Sequence, residues 1–151
     1  MQTADFDVGQ ELAAVRARTV GAVGGVATFV GLVRDMREAS AVSGLYLEHY
    51  PGMTENSIAA IIGQAESRWP LLDVVVVHRV GQLEPSAQIV FVQVASEHRA
   101  AAFAACEFIM DYLKTEAVFW KREARDGAEH WIESTAEDAA RRRQWQGETP
   151  S

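Results

Sequence analysis

The chain has 151 residues, 48% hydrophobic and 23% charged, with a formal net charge of -7. That size and mix predict one globular domain spanning 1–151 rather than a disordered chain. The acidic balance excludes a general nucleic-acid or membrane-surface binder, because both need a basic face of domain size.

Residues 9–18 are predicted to form a short helix, since Leu12 and Val15, or Ala13 and Ala17, recur at helical spacing. Ala22 to Val33 is β-branched and punctuated by glycine, which predicts a core strand. Arg34 to Ser43 is polar and aperiodic, the pattern of a loop. Leu45 to Tyr50 alternates as a strand and ends at Pro51-Gly52, after which Thr54 is the expected N-cap of a helix reaching Trp69. Val74–Val80 and Gln88–Val94 read as two strong strands, with a loop over Gly81–Ala87 between them.

Ser96 is the expected N-cap of the next helix, with His98 and Arg99 in its first turn and Phe103, Cys106, Met110 and Leu113 as its apolar stripe. Cys106 excludes an internal disulfide, and its apolar surroundings mark it as a buried thiol. Lys114 closes this helix about 22 to 24 Å from its start, at 1.5 Å per residue. Val118–Arg122 reads as extended, Asp126-Gly127 as a turn, and His130–Glu133 as a short strand. A polar helix is expected over 136–146 and a frayed end over 147–151. Strands and helices mix without regular βαβ alternation, which points to an α+β fold.

His98, Arg99, Lys114, Lys121 and Arg122 lie close in sequence in an acidic chain, and cations gathered against the overall sign point to an anionic ligand. Phe119 and Trp120 beside Lys121 offer a wall for a flat heterocycle. Lys114 and Lys121 are the candidate active amines, because neighbouring Arg34, Arg99 or Arg122 disfavours a further positive charge. The histidines at 49, 78, 98 and 130 lack ligand spacing, so no metal is expected, and no nucleotide-binding fingerprint or cofactor motif occurs. No basic start precedes a long apolar run and no apolar segment reaches about 18 residues, so the expected address is the cytoplasm.

Thr28–Arg34, Leu47-Glu-His-Tyr-Pro-Gly-Met-Thr54, His78-Arg-Val-Gly81, His98-Arg99, Phe108-Ile-Met-Asp-Tyr-Leu-Lys114 and Phe119-Trp-Lys-Arg-Glu123 occur in that order. Over residues 20–133 the chain resembles the large, catalytic subunit of molybdopterin synthase. The resemblance implies a hammerhead-like α/β core with an additional antiparallel β-sheet. It implies transfer of two sulfurs to cyclic pyranopterin monophosphate, giving the dithiolene of molybdopterin in molybdenum-cofactor biosynthesis. The donor implied is a thiocarboxylate on the C-terminal Gly-Gly tail of a small ubiquitin-like subunit, within a heterotetramer built on a homodimer of large subunits.

By motif position the resemblance makes Lys114 and Lys121 the catalytic lysines, Lys114 at the thiocarboxylate carbonyl and Lys121 in proton transfer or pterin orientation. It puts Arg34, His98 and Arg99 in the anionic pocket, adds Arg122 as a substrate contact, and has Phe29 and Met110 lining the pocket. One departure stands out. Family members can present an arginine soon after the Trp-Val/Ile-Glu strand to the neighbouring subunit, whereas Ser134 and Thr135 follow Glu133 here. Arg141, Arg142 and Arg143 are the alternatives, against a plain solvated helix face. The competing functional readings are a noncatalytic module that binds a glycine-terminated tail or a phosphorylated pterin, and a transferase using its own nucleophile.

Overall fold

Between its polar ends, Gln88–Ser96 is apolar on both faces except at Gln93, the pattern of a strand covered on two sides. It forms β5, the centre of a three-stranded antiparallel sheet. The computed structural model describes residues 1–34, 42–115, 119–125, 128–132 and 136–146; of 42–44, 119–125 and 128–132 it describes the backbone. The elements are α1 (Val8–Arg18), β1 (Gly25–Leu32), β2 (Val42–His49), α2 (Met53–Arg68), β3 (Leu71–His78), β4 (Gly81–Leu83), β5, α3 (Arg99–Leu113), β6 (Phe119–Arg125), β7 (Ala128–Ile132) and α4 (Ala136–Arg143).

The first sheet has the order β1-β5-β3, and its register sets Ala27 opposite Val94 and Phe29 opposite Val92. Because facing residues in an antiparallel pair share a side, this row faces α2 and α3. There Ala27, Val90, Val92 and Val94 join Ile58, Ile61 and Ala65 of α2 and Ala102, Ala105, Phe108 and Ile109 of α3 in one buried cluster. On the opposite side Phe91 meets Phe6 with ring centroids 5.4 Å apart. The second sheet has the order β4-β2-β6-β7, all antiparallel, with Leu47 of β2 opposite Lys121 of β6.

Two antiparallel sheets with helices packed on one of them agree with the α+β expectation. Several local expectations are corrected. Gly81–Leu83 is not loop: it pairs with Leu45–Leu47 as β4. Val42 and Ser43 belong to β2, while 35–41 lie outside the described residues, as do Asp126-Gly127 and 147–151. Thr54 is not the N-cap of α2; Gly52 is, at φ 85, a backbone shape that suits glycine. The Thr54 hydroxyl instead accepts from the Tyr50 N–H at 3.0 Å, and the Glu55 carboxylate accepts from the Gly52 N–H.

Candidate functional site

Five alanines between Arg99 and Cys106 give α3 strong helix propensity and allow close packing on the sheet. Its start is fixed by contact rather than by a capping side chain. Ser96 is not the N-cap, because it ends β5 and its hydroxyl donates to the Pro70 carbonyl at 2.9 Å. His98 takes the cap position with extended backbone, and its imidazole caps no backbone N–H. Gly24 lies so near that a Cβ there would sit 1.9 Å from the Glu97 carbonyl oxygen. The close approach of β1 to the β5–α3 turn therefore requires glycine.

The stripe Phe103, Cys106, Met110 and Leu113 is only half core. The buried face of α3 is Ala102, Ala105, Cys106, Phe108, Ile109, Tyr112 and Leu113. Phe103 is 65% exposed, Phe29 on β1 is 43% exposed, and Met110 is half-buried. These three side chains line a groove of ≈ 480 Å³ between β1 and α3, with Ala27, Thr28 and Cys106 along it. Lys114 lies at its C-terminal end, exposed, and has no ion pair among the described residues. Burial and the nearby Glu107 push the Cys106 thiol up to about 11, so it stays protonated near neutral pH.

The groove's charged members are not all cations. Glu107, Asp111 and Asp138 line it together with Lys114 and Arg141. Asp111 is 6% exposed, and its oxygens accept from Arg141 Nε at 3.1 Å, Gln144 Nε2 at 3.2 Å and Trp145 Nε1 at 2.7 Å. Arg141 also donates to Glu107 at 2.5 Å, and Asp111 holds its guanidinium more firmly protonated. Sequence reasoning missed Glu107 and Asp111 entirely. Their i, i+4 spacing on α3, facing an arginine run beyond the last strand, was the available signal.

The expected site residues separate into four groups. Phe29, Met110 and Lys114 come together on the groove. His98 and Arg99 stand exposed at the far end of α3, one helix length away, and Arg34 follows β1 at the end of that strand remote from Arg99. Lys121 and Arg122 stand on β6, opposite Leu47 and Tyr46 of β2. His49 pairs with Glu55 at 3.6 Å, and His78 is buried with Nδ1 2.9 Å from the Arg79 carbonyl, so both have structural partners. Arg141 and Arg142 are held on their own chain, Arg142 lying 5.4 Å over the Tyr112 ring. Among the described residues no cluster of three or more His, Cys, Asp or Glu suits a metal ion, and no helix is long and apolar enough to cross a membrane.

The MoaE protein family matches residues 1–116. The chain belongs to the MoaE family. A molybdopterin synthase catalytic subunit of Ralstonia nicotianae is 52% identical over 145 residues, covering 96% of this chain and 82% of that protein. The MoaE structure from Burkholderia ambifaria superposes with a TM-score of 0.83 at 50% identity, covering 97% of this chain and 96% of its own. Molybdopterin synthase from Staphylococcus aureus superposes with a TM-score of 0.77 at 28% identity, over 86% of this chain and 93% of that one. MoaE relatives therefore share the α3 groove's fold context, not only its local motifs.

Proposed function

We propose that this MoaE chain is the large, catalytic subunit of a molybdopterin synthase acting in the cytoplasm. It takes sulfur from the thiocarboxylated Gly-Gly tail of a small ubiquitin-like subunit and delivers it to cyclic pyranopterin monophosphate, forming the dithiolene. The observation that carries the reading is Lys114: an exposed ammonium with no ion pair among the described residues, at the end of an apolar groove. A groove of that kind suits an extended tail whose terminus is its one charged group.

Charge decides how the ligands divide. Three carboxylates against two cations make the groove a poor host for a phosphate, whereas a single thiocarboxylate needs one cation at its end. We therefore assign the groove, with Phe29, Met110 and Lys114, to the tail. The pterin phosphate goes to His98 and Arg99, where free N–H groups of the first helical turn add to the side-chain charge. Arg34, Lys121 and Arg122 complete the substrate contacts, and Lys121 assists proton transfer or orients the pterin.

About 22 to 24 Å separates the two ends of α3, more than one small molecule spans. A homodimer resolves this, because a two-fold axis can bring the His98 and Arg99 end of one copy to the Lys114 end of the other. The test reconstitutes the chain with thiocarboxylated small subunit and cyclic pyranopterin monophosphate and follows dithiolene product. Lys114→Ala is expected to slow turnover at least about a hundredfold, the scale of a lost transition-state cation, while the complex still forms. Near-normal turnover in that variant would remove Lys114 from the mechanism.

A further inference from the structure

Resting on the reading of Lys114 as the working amine, we propose that Arg141 is a positioning residue for it: by holding Oδ1 of Asp111, Arg141 keeps that carboxylate from pairing with Lys114. Asp111 and Lys114 stand at i and i+3 on the last turn of α3, the spacing at which opposite charges pair on a helix surface. Left alone, Asp111 is the anion nearest to Lys114 within α3 and a natural partner for the ammonium. It is instead turned toward α4.

The turn is complete because α4 and the two residues after it supply three donors. Gln144 and Trp145 both serve Oδ2, while Oδ1 has one donor, Arg141 Nε. The other arm of the same guanidinium reaches Glu107, one turn earlier on α3 and also on the groove. One planar fork thus occupies both α3 carboxylates, a geometry that lysine lacks. Among the described residues, the titratable groups that line the groove with Lys114 are Cys106, Glu107 and Asp111 from α3 and Asp138 and Arg141 from α4; Ala27, Thr28 and Phe29 of β1 bring no charge. Arg141 is the one cation among these groups, so its removal leaves Oδ1 of Asp111 without a donor and frees Glu107 at once.

The consequence for the reaction is availability. An incoming terminal thiocarboxylate meets an ammonium that need not first break an ion pair. Arg141 acts on the ammonium through Asp111 rather than by contact with the reacting atoms.

The full chain is acetylated at fixed pH, and modification at Lys114 is followed by peptide mass spectrometry. Arg141→Met is expected to slow acetylation of Lys114 by about two- to fivefold, the effect of one partly exposed ion pair, and to slow reconstituted turnover by a similar factor. Adding Asp111→Asn to Arg141→Met should restore both, because the competing carboxylate is gone. A clamp that only docks α4 predicts the reverse, a double variant no better than the single. That result, or unchanged acetylation in Arg141→Met, overturns the proposal. Should Arg141→Met fail to fold by circular dichroism, Gln144→Ala removes a surface donor to the same carboxylate, and it should show a smaller fall that Asp111→Asn again reverses. Acetylation that follows this pattern while Lys114→Ala keeps full turnover would uphold the positioning by Arg141 and refute the catalytic reading of Lys114.

Discussion

The two ends of α3 carry charge in different ways. At the N-terminal end His98 and Arg99 are exposed, no side chain caps the helix, and the contact that fixes the turn is backbone against Gly24. At the C-terminal end Lys114 stands beside a buried carboxylate that accepts from three donors of α4 and the residues just after it. At the first end the backbone is held and the exposed side chains are the part open to a ligand; at the second the charged Asp111 side chain is part of the core. On the proposed reading, anion capture and the chemical step therefore make different demands on one helix.

Replacing Trp145 tests that contrast with the largest expected effect. Its ring meets Trp69 and Phe108 edge-on at 5.8 and 5.5 Å, and its indole N–H serves Asp111. Trp145→Ala should cost about 3–5 kcal/mol, the usual range for emptying a large aromatic site in a core. Arg99→Ala, on an exposed first turn, should stay within about 0.5 kcal/mol. Urea denaturation of both variants checks the pair, and equal losses would erase the distinction between the ends.

A smaller effect comes from the middle of α3. Cys106 is 8% exposed, and its thiol is pushed up to about 11 from an ordinary 9.0. A raised thiol means that the folded state holds a proton the unfolded state releases. Stability from this source is full below pH 9 and is lost as pH rises toward 11. The loss should approach about 2 kcal/mol across that window. Cys106→Ala should lack that alkaline slope relative to the parent, as read from denaturation midpoints, and it should keep sulfur transfer because the sulfur comes from the partner. An inactive but folded Cys106→Ala protein would favour the reading in which the chain uses its own nucleophile.

How much of this was legible in the sequence depends on what kind of signal each residue carries. The strand of β5 and the helix α3 follow from local periodicity, and their bounds came within a few residues. Ser96 and Thr54 misled because a hydroxyl before an apolar run is the usual mark of a cap. Here Ser96 bonds Pro70 across the fold, and Thr54 bonds Tyr50 one turn back. Phe103 and Met110 fit the helical stripe of a core residue, yet the groove against β1 leaves them open. A groove is a gap between elements distant in sequence, and periodicity within one element does not report it. The Asp111 network was hidden for the same reason, since its donors lie 30 to 34 residues away. Lys114 was legible because it ended a motif, not because its surroundings could be read.

The smallest expected effect bears most directly on how the two ends meet. If His98 and Arg99 bind the pterin phosphate, Arg99→Ala should raise KM for cyclic pyranopterin monophosphate about tenfold, near 1.4 kcal/mol, with kcat little changed. Exposed charge contacts are screened by salt, so KM of the parent should rise with ionic strength more steeply than that of the variant. Dimers reassembled from equal amounts of Arg99→Ala and Lys114→Ala chains then reveal whether one copy serves the other. If the site is shared, half the dimers are mixed and each holds one intact site, giving about one quarter of the parent rate at low substrate. If each copy closes its own site, no intact site forms, and the mixture gives only the residual rate of the Arg99→Ala chains. That outcome would place both ends of α3 on one ligand within one chain, against the length of the helix that separates them.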